Sequence, residues 1–327
     1  MPRAVRFHRL GSPEVLTIED VQLRHPGPGE VAMDVAAVGL NRAESMYFRG
    51  EYFEQPRFPS GVGYEAVGTI TSVGEDIDTS LVGKRVGTIP GYSMNLYPVL
   101  GEKAVVPVTV IAEVPPSLSS VDAAAVWMQY GTAYGALVDR AKVSPGDTVI
   151  LTAASSSVGL AAIQIVKAQG AISIATTRTS AKRQQLLDLG ADYVIVTQEE
   201  HLPTRVREIT GGDLARVAFD AVGGSFLNSL AHAVAPSGTI YLYGLLSGEA
   251  NNYPVSAFFK SISLTAFMLT ELNTQERLEP MKRYVYDHLA DGSFRPRVDR
   301  VFPFEEATEA YRYLESNHQV GKVVIAL

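Results

Sequence analysis

The chain has 327 residues, about twice the roughly 150 of an average domain, so two domains are expected. Its composition, 46% hydrophobic and 19% charged, suits a folded chain with a large core and not a disordered or disulfide-stapled one. With 35 acidic and 28 basic residues the net charge is −7, which argues against a nucleic-acid partner, and the absence of cysteine excludes disulfides, thiolate zinc sites and a cysteine nucleophile.

Residues 1–122 read as short β segments between turns. Thr17–Glu19 and Val31–Val38 carry the β-branched content of strands, and His25-Pro-Gly-Pro-Gly29 breaks the chain between them. Glycines at 61, 63, 68, 74, 83, 87 and 91 suit the bulges and corners of a small bent β-barrel. Residues 122–139 are Ala-rich and predict a helix that starts near Asp122. Strands are then predicted at Thr148–Ala153, Ala171–Thr177, Tyr193–Val196, Val217–Asp220 and Thr239–Tyr243. Helices are predicted at 160–170, 180–189, 202–210 and 224–235. Strand–helix alternation of this length predicts an α/β, doubly wound parallel sheet of the Rossmann kind. From Leu264 the pattern is mixed, and Gly321–Leu327 reads as a closing strand. Residues 1–122, completed by 264–327, are therefore expected to form one domain, with 123–263 inserted as a dinucleotide-binding domain.

No run of about 18 apolar residues suggests a membrane span. The segment MPRAVRFHRLG has no apolar leader core, so a cytoplasmic location is expected. The six histidines include no i, i+4 pair and no HExxH, and no metal site is expected.

The sharpest motif is Leu151-Thr-Ala-Ala-Ser-Ser-Ser-Val-Gly159, placed between a buried strand and a helix. At such a turn the helix N-terminus offers N–H groups and partial positive charge to a pyrophosphate. Ser155, Ser156, Ser157, Val158 and Gly159 are the candidate contacts. The three glycine positions of a dinucleotide turn fall on Ala153, Ser156 and Gly159. Ala153 is tolerable there if its φ stays negative, Ser156 narrows the approach but offers a hydroxyl, and Gly159 allows close helix–strand packing. An ordinary serine-capped turn is the alternative. The end of the second strand, Thr177-Arg-Thr-Ser-Ala-Lys182, lacks the carboxylate that would take ribose hydroxyls. Thr177, Arg178 and Lys182 suit a 2′-phosphate instead, which points to NADP(H).

These pieces resemble one family. Gly39-Leu-Asn41, Arg49-Gly-Glu-Tyr52, Gly61-Val-Gly-Tyr-Glu-Ala-Val-Gly68, Val82-Gly-Lys-Arg-Val-Gly87, Gly131-Thr-Ala-Tyr134, Leu189-Gly-Ala-Asp192 and Gly321-Lys-Val323 occur in the order seen in the medium-chain dehydrogenase/reductase superfamily. The chain resembles its zinc-independent branch, which holds quinone oxidoreductases of the ζ-crystallin type and enoyl thioester reductases. Zinc-dependent relatives read Gly-His-Glu where this chain has Gly63-Tyr64-Glu65, and they carry a ligand cysteine near Leu40. The resemblance implies a GroES-like β-barrel domain beside the Rossmann domain, and NADPH as cofactor. It implies a homodimer joined through the edge of the nucleotide sheet, near Ser261–Thr265.

It also implies roles. Asn41 and Thr132 are expected near the nicotinamide, and Tyr52 is the expected proton donor. Tyr64 is expected to face the pocket that zinc fills in relatives. Tyr193 is assigned to the adenosine side, Gly223, Gly244, Leu245 and Phe267 to the cofactor crevice, and Lys322 to the phosphate region. Without zinc, an alcohol is not activated for oxidation. Hydride transfer to a quinone, an enone or an enoyl thioester remains, with the cofactor carrying the chemistry. Two alternatives stay open. One is an enoyl-CoA or enoyl-thioester reductase, for which Arg42, Arg49, Arg57 and Lys103 would supply basic charge. The other is a non-catalytic NADPH-binding protein.

Overall fold

The computed structural model describes residues 1–327, which divide into two units, Met1–Met128 with Pro296–Leu327, and Gln129–Arg295. The later unit contains a parallel sheet of six strands: β1 (Thr148–Leu151), β2 (Ile172–Thr177), β3 (Tyr193–Val196), β4 (Ala215–Asp220), β5 (Val234–Leu242) and β6 (Ser263–Ala266). Their spatial order is β3-β2-β1-β4-β5-β6. The chain leaves β1 toward one edge, then returns to β4 and builds the other. This reversal opens a crevice at the carboxyl ends of β1 and β4. All four residues of β1 are buried, as a strand covered on both faces must be, which explains its unbroken apolar run. The crossovers are α1 (Ser157–Ala168), α2 (Arg183–Asp188), α3 (Leu202–Ile209), α4 (Phe226–Ala233) and α5 (Val255–Phe259).

The first unit is mainly antiparallel. Glu30–Gly39 is its central strand and pairs with Glu65–Val73, Lys103–Pro107 and the carboxyl-terminal strand Lys322–Ala326. The carboxyl-terminal strand therefore closes this unit, with Val324 opposite Gly39. At Gly68 a Cβ would lie 2.2 Å from the Asp34 carbonyl oxygen, so only glycine lets the two central strands approach beside their register shift.

Two expectations change. The unit boundaries fall at 128/129 and 295/296, not at 122/123 and 263/264. Ser263–Ala266 adds to β5 as the edge of the nucleotide sheet, which keeps that segment in the second unit. The predicted helix over 122–139 is broken into Ser120–Ala123, Trp127–Tyr134 and a wide turn at Gly135–Arg140. The buried Glu65 carboxylate accepts the N–H groups of Trp127 (2.6 Å) and Met128 (3.1 Å), so the helix restarts there on a side-chain cap.

Candidate functional site

The turn after β1 leads into the N-terminus of α1, the candidate place for an anion. Ser156 caps α1, its hydroxyl accepting the Gly159 N–H at 3.1 Å. A Cβ on Gly159 would lie 2.6 Å from the Ala154 backbone, so glycine is required where helix and turn touch. The N–H groups of Ser157 and Val158, in the first turn of α1, are left for a ligand. Ala153 departs from expectation: its φ is +45°, in the left-handed region, where a glycine usually stands. The turn's hydrogen bonds hold it there, since the Ala153 carbonyl accepts Ser156 N–H at 2.9 Å and Ala154 N–H reaches the Thr176 carbonyl at 3.2 Å.

The carboxyl end of β2 adjoins this turn. Lys182 Nζ donates to Ser155 Oγ at 3.3 Å, which ties the basic segment to the serine turn. Thr177 is half-buried, and Arg178 is exposed and has no ion-pair partner. By contrast, Arg183 is paired with Glu200. An exposed arginine directly after β2, four residues before the lysine that reaches the serine turn, suits a 2′-phosphate.

At β4 the buried Asp220 organises the backbone. It accepts Thr152 Oγ1 (2.6 Å), Val222 N–H (3.0 Å) and Gly223 N–H (2.9 Å), and burial pushes its pKa up. Gly223 is less open than expected. A Cβ there would meet Asn251 Oδ1 at 2.5 Å, and that oxygen accepts Gly224 N–H at 2.7 Å. Asn251 therefore covers this turn. Gly244 packs on Ala221, 2.9 Å from its carbonyl oxygen in Cβ terms, while Leu245 is exposed.

Three further assignments are corrected. Tyr193 pairs with Ile174 at the start of β3, three residues before the Thr177–Val196 pair. It therefore sits at the strand end away from the crevice, about 10 Å off. Thr197, whose N–H bonds the Thr177 carbonyl at 2.8 Å, follows the carboxyl end instead. Phe267 is 2% exposed and fills the space over Gly135, where a Cβ would approach its ring to 2.1 Å. It is a packing residue. Thr132 is buried on the Trp127–Tyr134 helix.

The third correction is Lys322, which is 1% exposed and lies in the barrel unit. Its ammonium donates to Glu65 Oε2 (2.5 Å) and Asn41 Oδ1 (2.6 Å), so it is committed to internal partners and not to a phosphate. Asn41 is committed as well. Its two amide hydrogens go to the Gly39 carbonyl (3.0 Å) and Glu44 Oε1 (3.1 Å), so only a lone pair on Oδ1 remains. Glu44 is fully buried and also accepts Asn41 N–H, Tyr64 N–H and Tyr311 OH. Burial pushes its pKa up, against those donors.

Tyr52 and Tyr64 are brought together. Their hydroxyls are 3.5 Å apart and their rings meet edge to face at 6.2 Å. Tyr52 is half-buried, and Tyr64 is 1% exposed. Burial pushes both phenols above the ordinary tyrosine pKa, so both stay protonated near neutral pH. The Tyr52 loop is fixed by Glu54, which accepts Met94 N–H, Asn95 Nδ2 (both 2.9 Å) and Ser93 Oγ. Glu44, Glu54 and Glu65 were not singled out from the sequence. The spacing Asn41-x-x-Glu44 is a capping-box signal that could have found the first.

Two family models match the chain: zinc-binding dehydrogenase over residues 157–283 and alcohol dehydrogenase GroES-like domain over residues 27–116. A quinone oxidoreductase of Pseudomonas aeruginosa is 30% identical over 332 residues, covering 99% of both chains. One of Salmonella typhimurium is 29% identical over 334 residues, again covering 99% of both. Among solved structures, Escherichia coli quinone oxidoreductase complexed with NADPH superposes with a TM-score of 0.91 at 28% identity. That match covers 99% of this chain and 100% of the other.

Proposed function

Since the chain belongs to the zinc-independent, quinone oxidoreductase-like branch of the medium-chain dehydrogenase/reductase superfamily, we propose that it is an NADPH-dependent reductase of quinones and other α,β-unsaturated carbonyls. The observation that carries the cofactor is the Lys182–Ser155 contact, which ties the basic segment after β2, with its exposed Arg178, to the turn that opens α1. The pyrophosphate fits the Ser157 and Val158 N–H groups, and the 2′-phosphate fits Arg178 and Lys182. When bound, NADPH supplies a hydride to the electrophilic carbon of the acceptor.

The chain's own residues supply the rest. Tyr52 is the acid, a half-buried phenol that donates to the acceptor oxygen as charge appears there. Glu54 holds its loop. Asn41 serves as an internal pin between Lys322 and Glu44, with one lone pair left to accept.

The thioester alternative is disfavoured by the fate of three of its four basic residues, Arg57 alone being exposed without an ion pair. Arg42 donates to the Leu314 carbonyl and Asn317, Arg49 pairs with Glu315, and Lys103 pairs with Asp34. Those three side chains are engaged within the barrel unit and do not form a free cationic patch for CoA. A second copy of the chain is proposed to cover the β6 edge and the neighbouring α5, where Val255, Phe258 and Phe259 are at least 70% exposed.

The test is NADPH oxidation at 340 nm by the purified chain with a quinone, a simple enone and crotonyl-CoA. Turnover of the first two is expected. Turnover of crotonyl-CoA alone would favour the thioester reading, and NADPH binding without turnover of any acceptor would favour a binding protein. Tyr52→Phe is expected to slow the enone more than the quinone, which depends less on one proton donor.

A further inference from the structure

We propose that Tyr64 is a positioning residue that acts through Tyr52, donating a hydrogen bond to the Tyr52 oxygen as that phenol gives up its proton. This rests on the reading of Tyr52 as the acid.

Tyr64 is held on every side. Its N–H donates to Glu44 Oε1 at 3.1 Å, and its carbonyl accepts Thr88 Oγ1 at 3.0 Å and the Tyr92 hydroxyl. Its ring packs edge to face on Tyr92 at 5.3 Å. Only the hydroxyl is uncommitted, and Tyr52 is its one hydrogen-bonding partner. At 1% exposure that hydroxyl is too buried to serve an acceptor molecule directly.

The resting contact of 3.5 Å is long for two hydroxyls and contributes little. It changes when Tyr52 acts. The Tyr52 O–H bond breaks, the proton forms a new bond to the reduced acceptor, and the electron pair stays on the phenolate oxygen. That oxygen can then only accept, so Tyr64 becomes the donor and the bond gains charge assistance. An interaction stronger after proton loss than before it lowers the barrier, whereas an equal one would not. Water then reprotonates Tyr52 from its exposed side. The charged and titratable groups around the pair are Glu44, Glu54 and Tyr92, with Lys322 acting on Glu44. Both carboxylates oppose charge on Tyr52, which makes the one favourable donor more consequential.

The experiment places 3-fluorotyrosine at position 52 and follows its ionisation by 19F NMR, in the otherwise native chain and with Tyr64→Phe. Loss of the Tyr64 donor is expected to move the midpoint up by about one pH unit, a tenfold effect for one hydrogen bond to a charged oxygen. Enone reduction is expected to fall about tenfold in kcat with little change in KM. An unchanged midpoint in a folded protein overturns the proposal. A second variant, Tyr64→3-fluorotyrosine, keeps the ring and strengthens the donor, so the midpoint should move down; no movement there also counts against it. The titration reports on the pair whether or not Tyr52 is the acid. A normal enone rate in Tyr52→Phe would remove the catalytic reading and leave the coupling measured.

Discussion

Replacing Arg178 with alanine separates recognition of the 2′-phosphate from everything else the nucleotide unit does. The side chain is exposed and has no ion pair, so its loss should leave stability unchanged. A charge-assisted hydrogen bond contributes about 1.5–3 kcal/mol. Screening at an exposed site reduces that to about 1–2 kcal/mol, or roughly 5- to 30-fold in Kd. Lys182 remains, held toward the turn by its contact with Ser155, which is why the loss is not larger. NADH has no 2′-phosphate, so its Kd should change less than about twofold. The assay is quenching of protein fluorescence or calorimetry with both cofactors, at low and high salt. The NADPH penalty should shrink as salt rises. Equal weakening of both cofactors would refute the assignment and place Arg178 on the shared pyrophosphate or in the fold.

Two other substitutions probe the frame. Lys322→Met leaves the buried Glu65 carboxylate without its cation and Asn41 Oδ1 without its donor; a loss of about 3–5 kcal/mol is expected in denaturant unfolding. Adding Glu65→Gln should recover part of it, and a loss below about 1 kcal/mol would show that the pair is dispensable. Ala153→Gly removes a left-handed alanine that costs about 1–2 kcal/mol, offset by about 0.5–1 kcal/mol of glycine entropy. Equal or slightly higher thermal stability is expected, with NADPH affinity retained; a clear drop in Tm would mean that the turn is not strained.

The nucleotide sheet was legible because its strands are buried on both faces and therefore read as unbroken apolar runs. Tyr193–Val196 was placed to the residue. The turn proposed to take the phosphates is local for a related reason: a serine turn, a helix start and a basic strand end are adjacent in sequence. What escaped depends on distant partners. Nothing near Lys322 in the chain announces that Glu65 and Asn41, both more than 250 residues earlier, will neutralise it. The Tyr193 assignment failed on register, since a residue at the wrong end of a parallel strand is about 10 Å from the crevice however suitable its side chain. Asn251 was missed because a loop's cover over Gly223 leaves no periodic trace.

The adjacent pair Tyr64-Glu65 explains how a pocket can change while its frame stays. Glu65 opens the Glu65–Val73 strand, and its carboxylate joins Lys322 to the start of the Trp127–Tyr134 helix. The Tyr64 ring lies instead among Tyr52 and Tyr92. The two side chains thus serve separate networks although one peptide bond joins them. Where zinc-dependent relatives place histidine, this chain can hold a phenol without disturbing the ion pair beneath. The acidic residue is kept for a structural reason that does not involve a metal. The Gly-Tyr-Glu segment thus carries two signals, glutamate for the barrel and, on the role proposed above, tyrosine for the chemistry. Substitutions at 64 should therefore alter rate and pH dependence, and substitutions at 65 should alter stability.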